Sequence, residues 1–166
     1  MKKAIALMLA LVSLLSLSSC FIDFLGHDEK LYRTVEARIE QIISIIENKD
    51  KEEMKSLFSK KALDDTKNSD KDAESLFEPF QSGIESWDMT ARRSDNERKF
   101  FKKSELIQFC FRVTTEDSVY LFYVREYNTN TIDPDNEGVS VLKMIEETEE
   151  LNTTHWKERM FAGKYD

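Results

Sequence analysis

The sequence predicts an α+β fold in which N-terminal helices pack on a curved antiparallel sheet. Apolar residues recur at spacings of three and four from Leu31 to Phe80, the period of a helix with one buried face. Beyond Ile84 the period shifts to two, the signature of strands. Only four glycines and two prolines interrupt 166 residues, so the elements are long. Helices first and strands afterwards give a segregated α+β arrangement rather than alternating βα units.

Residues 1–19 stand apart from this pattern. Lys2 and Lys3 form a basic start, Ala4 to Leu17 is an almost unbroken apolar run, and Leu17-Ser18-Ser19-Cys20 places small side chains directly before a cysteine. A short basic start, about 7–15 apolar residues and a small-residue cleavage site make a signal peptide. The run is shorter than the ~20 residues a spanning helix needs. Ser18 and Ser19 let an extended chain enter a narrow peptidase cleft, which sets the cleavage between Ser19 and Cys20. The Cys20 thiol is the side chain suited to a thioether with diacylglycerol. This is a lipobox, the mark of a bacterial lipoprotein. A diacylglycerol carries two acyl chains, and two chains anchor firmly where one holds only marginally. The expectation is a protein held by lipid on the outer, extracytoplasmic face of the cell membrane, with the covalent diacylglycerol on Cys20 as its one attached group and no other cofactor.

Residues 20–27 form a short apolar tether, Phe21-Ile22-Asp23-Phe24-Leu25 at its centre. Its aromatics suit either the membrane interface or packing on the folded domain. A single α+β domain then occupies residues 28–166. Asp28 can cap a helix that runs to Asn48 and buries Leu31, Val35, Ile39, Ile42, Ile43 and Ile46. Asp50 and Glu53 fit a capping-box variant that opens a second helix burying Met54, Leu57 and Phe58. Lys60 to Ser69 reads as a charged loop. A third helix spans Asp70 to Gln81 and buries Ala73, Leu76, Phe77 and Phe80, with Pro79 distorting its last turn.

The strands follow: Ile84 to Arg92; Phe100 to Val113, with Ile107, Phe109, Phe111 and Val113 on one face; Val119 to Tyr127, apolar on both faces; and Val139 to Ile145, alternating through Val139, Val141 and Ile145. Thr114 to Asp117 makes a turn and Asn128 to Gly138 a turn-rich loop. A final edge strand is open in the last fifteen residues. A strand apolar on both faces needs cover on both. The C-terminal segment around Trp156 and Phe161 is favoured for that role over a second copy of the chain, so a monomer is favoured and a homodimer remains the alternative.

Several phrases carry a resemblance: the lipobox, the long first helix, Ser56-Leu57-Phe58-Ser59, Leu76-Phe77-Glu78-Pro79-Phe80 followed by Ile84-Glu85-Ser86, and Asp133-Pro134-Asp135-Asn136-Glu137-Gly138. Across most of residues 28–147 the chain resembles an uncharacterised family of small lipoproteins from Gram-positive bacteria, and that family looks related to nuclear transport factor 2-like, or cystatin-like, domains. The resemblance implies a sheet curled around helices into a cone that can hold a pocket. It implies no activity, since fold alone does not give function.

Charge excludes one class of partner. The chain carries 24 basic and 32 acidic residues, and loss of residues 1–19 removes two of the basic ones. An acidic domain without a basic stripe is a poor nucleic-acid binder, because phosphate neutralisation supplies most of that affinity. The same charge repels anionic headgroups, which leaves the anchoring to the lipid.

The chemistry-bearing residues are sparse. Asp133, Asp135, Glu137 and Gly138 resemble the start of a calcium loop, but the twelfth position, which should be a glutamate, is Met144; a strand-connecting turn is the better reading. His27 and His155 sit in no ligand-spaced cluster, so no metal site is expected. Cys110, between Phe109 and Phe111, lacks a neighbour that favours thiolate and reads as an inert structural thiol. With Cys20 lipidated it has no disulfide partner. Asp88 and Glu126 lie on predicted strands, and either is a candidate inward carboxylate. Trp87, Tyr120, Phe122, Tyr123 and Trp156 are plain core or, for Trp87, Tyr123 and Trp156 above all, candidate pocket lining. Glu146 to Glu150 reads as a solvated strand end or turn.

Three functions fit. The first is a non-enzymatic module that binds a small ligand or a protein at the membrane. The second is an isomerase- or dehydratase-like enzyme using a pocket carboxylate as base. The third is a structural protein that assembles through its sheet. No catalytic constellation is visible, which favours the first.

Overall fold

Helices do precede an antiparallel sheet in the chain, and the sheet takes the strands in sequence order. The computed structural model describes residues 29–66, 69–147 and 159–162, the side chains of Ser69 and of 159–162 excepted. The chain divides into two units between Val35 and Glu36. In the first unit, residues 29–35 are helical, and Arg33 pairs with Glu29 one turn earlier at 2.6 Å. In the second, Glu36–Asp166, helix continues to residue 48, so α1 comprises residues 29–48. The capping role expected of Asp28, the tether and the leader lie outside the described residues.

The α1 stripe is buried as its spacing requires: Val35, Ile39, Ile42, Ile43 and Ile46 are all out of solvent, while Leu31 is half-buried. Ile45 joins them, since an isoleucine-rich turn broadens the apolar face beyond the strict three-and-four rows. Helix α2, Lys51–Ser56, starts where Asp50 accepts a hydrogen bond from the Glu53 amide at 2.9 Å. Met54 is buried within α2, but Leu57 and Phe58 are buried beyond its end.

The segment expected as a charged loop holds a further helix, α3, Lys60–Asp64. Its signal is the capping oxygen of Ser59, which accepts from the Ala62 amide at 3.2 Å, and it buries Ala62. Five largely charged residues offer too little periodicity for the pattern to show. Helix α4, Ser69–Phe77, passes into a 3₁₀ turn, Glu78–Phe80, at Pro79. This is the distortion proline imposes when its ring displaces the helical path. Ala73, Leu76, Phe77 and Phe80 are all buried.

The strands are β1, Ser86–Lys99; β2, Lys102–Thr114; β3, Val119–Asn130; β4, Gly138–Glu146; and β5, Arg159–Ala162. They lie in the order β1-β2-β3-β4-β5, each antiparallel to the next. The final edge strand is thus β5, paired with β4, and α4 lies against it. The strand expected over Ile84 to Arg92 begins at Ser86 and runs on to Lys99, because pairing with β2 carries polar residues that no hydrophobic pattern would mark. Phe100 and Phe101, expected inside the second strand, form instead the two-residue turn between β1 and β2. The turn after β2 closes where Thr115 and Ser118 exchange hydrogen bonds, Thr115 N to Ser118 O at 2.9 Å and Ser118 N to Thr115 Oγ1 at 3.1 Å.

One face of the sheet is core. Ile107, Phe109, Phe111 and Val113 from β2 meet Tyr120, Phe122 and Val124 from β3. Phe111 stacks on Phe122 with centroids 4.7 Å apart, and Phe80 reaches Tyr120 and Phe122 at 5.1 and 6.0 Å. The alternation expected along β4 breaks. A bulge opposite Arg125 and Glu126 leaves Ser140 without a register partner, and beyond it Leu142 and Met144, rather than Ile145, stand opposite the core residues Val124 and Phe122. Bulges between Met89 and Ala91, and between Glu105 and Leu106, bend the sheet further.

The start of β4 is pinned to the end of α2. Val139 N donates to Leu57 O at 2.8 Å, and Ser59 N donates to Val139 O at 2.9 Å. This close approach requires Gly138, which adopts φ +110°; a Cβ there would stand 3.0 Å from Leu57 O and 3.1 Å from Ser59 N.

Candidate functional site

Among the described residues, the one charged side chain buried on the core face is Glu126. Its position on β3 continues the period-two series Tyr120, Phe122, Val124, so the pleat turns it inward. Its register partners are Ile107 on β2 and Val139 on β4, both buried and apolar. The carboxylate retains 2% of its side-chain exposure. Removal from water pushes its pKa above the ordinary glutamate value, and the Arg38 guanidinium opposes that rise.

Arg38 comes from α1. It follows Val35 by three and precedes Ile42 by four, which sets it at the edge of the buried stripe. Its Nε donates to Glu126 Oε2 at 2.7 Å, and its Nη1 donates to Gln41 Oε1 at 2.6 Å. A quarter of the Arg38 side chain reaches solvent. The arrangement is a charge-assisted pair that ties α1 to β3, with one face of the guanidinium group fixed by Gln41. Arg38 engages one oxygen of the carboxylate, Oε2, so the pair fixes the position of Glu126 as well as that of the helix.

Other residues singled out from the sequence disperse. Asp88 is exposed on the opposite face of the sheet, across from Arg112, whose guanidinium is itself held by Glu147 through Nε at 2.7 Å and Nη2 at 3.1 Å. Of the two candidate inward carboxylates, Glu126 therefore points inward and Asp88 does not. Trp87 stands across from the buried Val113 and so faces the core side, half-buried. Tyr123 pairs with Cys110 on the other face, where its hydroxyl donates to Gln108 Oε1 at 2.9 Å. The two rings are on opposite faces and line no common space. Along β2, Val113 and Ile107 are separated by about 20 Å at ~3.3 Å per residue, which places Trp87 far from Glu126.

Cys110 is half-buried and free, and burial pushes its thiol pKa up, away from thiolate. The acidic turn before β4 is held by ordinary contacts. Lys60 pairs with Asp135 at 3.2 Å, Lys61 with Asp133 at 3.8 Å, and Glu137 Oε2 accepts from the Asn130 amide at 2.9 Å. Among the described residues no three histidines, cysteines or acids gather as a metal site. Glu146 accepts from the Ser118 hydroxyl at the end of β4. Ser19, Cys20, His27, His155 and Trp156 lie outside the described residues.

Arg38 was not apparent from the sequence as a functional residue. The signal was available: a lone arginine on the rim of an apolar helical stripe, and a lone acid in phase with the apolar face of β3. Each needs a buried partner of opposite sign. Among the described residues no helix is long and apolar enough to cross a membrane. Comparison with known proteins places residues 41–147 under one family model, described as a domain of unknown function. No curated protein matches the chain.

Proposed function

The chain belongs to the DUF5104 family, and for this member we propose a membrane-anchored extracytoplasmic lipoprotein whose domain is a non-enzymatic binding module for a small ligand or a protein. The observation that carries the reading is Leu17-Ser18-Ser19-Cys20 behind a short basic and apolar leader. Diacylglycerol on Cys20 then holds the protein on the outer face of the cytoplasmic membrane. The helices-then-sheet order and the bulged, bent strands are consistent with a nuclear transport factor 2-like, cystatin-like cone. Glu126, the one buried acid among the described residues, is engaged by Arg38, which supports binding over catalysis. The acidic balance argues against nucleic acid. Expressed in a Gram-positive host, the wild type takes up labelled palmitate and Cys20→Ala does not; equal labelling of the two refutes the anchoring.

One observation favours the enzyme reading: an inward carboxylate whose pKa is raised by burial. The two readings part at Glu126→Gln, which keeps the shape and removes the base. A binding module retains its cellular phenotype in that variant when the fold is intact. A folded variant that reproduces the deletion phenotype makes Glu126 a catalytic base. Assembly through the sheet, the third reading, predicts a dimer at micromolar concentration in solution.

A further inference from the structure

The β1–β2 hairpin ends in a feature that the fold does not need. Phe100 and Phe101 form its two-residue turn, and both are as exposed as free side chains, at 103% and 105%. The four residues around them are Arg98, Lys99, Lys102 and Lys103, so the tip reads Arg-Lys-Phe-Phe-Lys-Lys with no acid among six positions. β3 pairs with β2 as far as Asn130 and Ser104, and Thr131 just beyond it still exchanges hydrogen bonds with Lys103, Lys103 N to Thr131 Oγ1 at 2.8 Å and Thr131 N to Lys103 O at 2.9 Å. From Lys102 outward the tip runs past that last contact, and its other side is β1, an edge strand.

Each choice at this tip is unfavourable for an isolated domain in water. Phe100 adopts φ +54°, a conformation that favours glycine or asparagine in such turns. Arg98 faces Lys103 across the strands and Lys99 faces Lys102, which sets like charges opposite one another. Lys99 has Glu97 at 2.8 Å, but among the described residues no carboxylate pairs with Arg98, Lys102 or Lys103. Two phenyl rings stand wholly in solvent.

The cost of the exposed rings and that of the facing like charges both reverse against one kind of surface. Aromatic rings partition into the membrane interface, and lysines and arginines beside them are drawn to anionic headgroups within a Debye length. We propose that the β1–β2 tip is a membrane-docking finger: Phe100 and Phe101 enter the interfacial zone of an anionic bilayer while Arg98, Lys99, Lys102 and Lys103 contact lipid phosphates. The overall acidity of the chain repels an anionic surface at long range, but within a Debye length of the tip the four gathered cations outweigh it. The finger acts without a covalent lipid, so it stands or falls separately from the modification of Cys20. With the anchor present, it fixes the orientation of a domain that lipid alone would leave free to rotate.

The test uses the full chain, with and without Cys20→Ala, carrying Phe100→Trp or, separately, Phe101→Trp as a depth probe. Vesicles contain brominated phosphatidylcholine with phosphatidylglycerol, or brominated phosphatidylcholine alone. The docking finger predicts a blue shift and a loss of about half of the added indole emission on the anionic vesicles, over the parent chain, and little on the neutral ones. Lys102→Glu with Lys103→Glu in the same background should abolish the quenching, and it should do so whether or not Cys20 is present. Absence of quenching on anionic vesicles overturns the proposal. So does quenching that is equal on neutral lipid or survives the charge reversal. A blue shift that grows with protein concentration in the absence of lipid also overturns it, since a second copy of the chain would then be what covers the rings.

Discussion

Removing Arg38 should destabilise the domain in a way that acid partly repairs. Glu126 has 2% of its side chain exposed and lies between Ile107 and Val139, with the Arg38 guanidinium at 2.7 Å. Breaking a buried pair by deleting one member costs about 3–5 kcal/mol, because the survivor is left charged in an apolar setting. Arg38 keeps 25% of its side-chain exposure, so water can partly replace it, and the expected cost of Arg38→Met at pH 7.5 is the lower figure, about 3 kcal/mol. For a chain of this size that lowers Tm by about 6–12 °C. The pH dependence has a definite sign. The Glu126 pKa is raised in the folded state, burial being the main cause, so the folded protein holds that proton more tightly than the unfolded chain. The associated stability is complete below the ordinary glutamate value and is lost as pH rises through the raised one. Without Arg38 the rise is larger, and the variant should regain stability between pH 7.5 and 5 relative to the wild type. Arg38→Met with Glu126→Leu should recover most of the loss, since replacing both members by apolar groups is near neutral. Thermal melts followed by circular dichroism at the two pH values decide the matter. A single variant with unchanged Tm, or a loss that does not shrink on acidification, refutes the view that Glu126 is a buried charge held by Arg38.

Further outcomes follow from the packing and the backbone. Ile42 is fully buried in α1, so Ile42→Asp should lower stability by several kcal/mol and show as a depressed or absent melting transition; an unchanged Tm would mean the stripe is not core. Gly138→Ala places a Cβ 3.0 Å from Leu57 O at φ +110° and should cost about 1–3 kcal/mol, measured as a shift in the urea midpoint. Cys110, with its thiol pKa raised by burial, should react with Ellman's reagent at pH 8 far more slowly in the native protein than in urea.

What the sequence disclosed follows from how strongly each element depends on burial. The α1 stripe and the alternating rows of β2 and β3 were legible because a buried face imprints its period on the residues. α3 was hidden, since five residues with one buried alanine leave no period and only the Ser59 cap marks them. The far half of β1 was hidden for a related reason. Arg92 to Lys99 forms strand through its register with β2 and buries little of its own, so composition gave no sign. Phe100 and Phe101 misled outright: phenylalanine favours strands, and neither glycine nor asparagine announces the turn. The phase of β4 past Ser140 could not be read either, because a bulge adds a residue without changing the composition. At the candidate site, the phase of β3 pointed Glu126 inward, but its partner came from an element 88 residues away, a distance that local pattern does not cross.

The central claim is the address, and the most direct measurement of it is the intact mass of the protein extracted from membranes of an exporting Gram-positive host. The expected result is a chain that begins at Cys20 and is heavier than its sequence by a thioether-linked diacylglycerol, with an unlipidated product from Cys20→Ala. A membrane-extracted wild type that still carries residues 1–19, or that is cut elsewhere and bears no lipid, would contradict it.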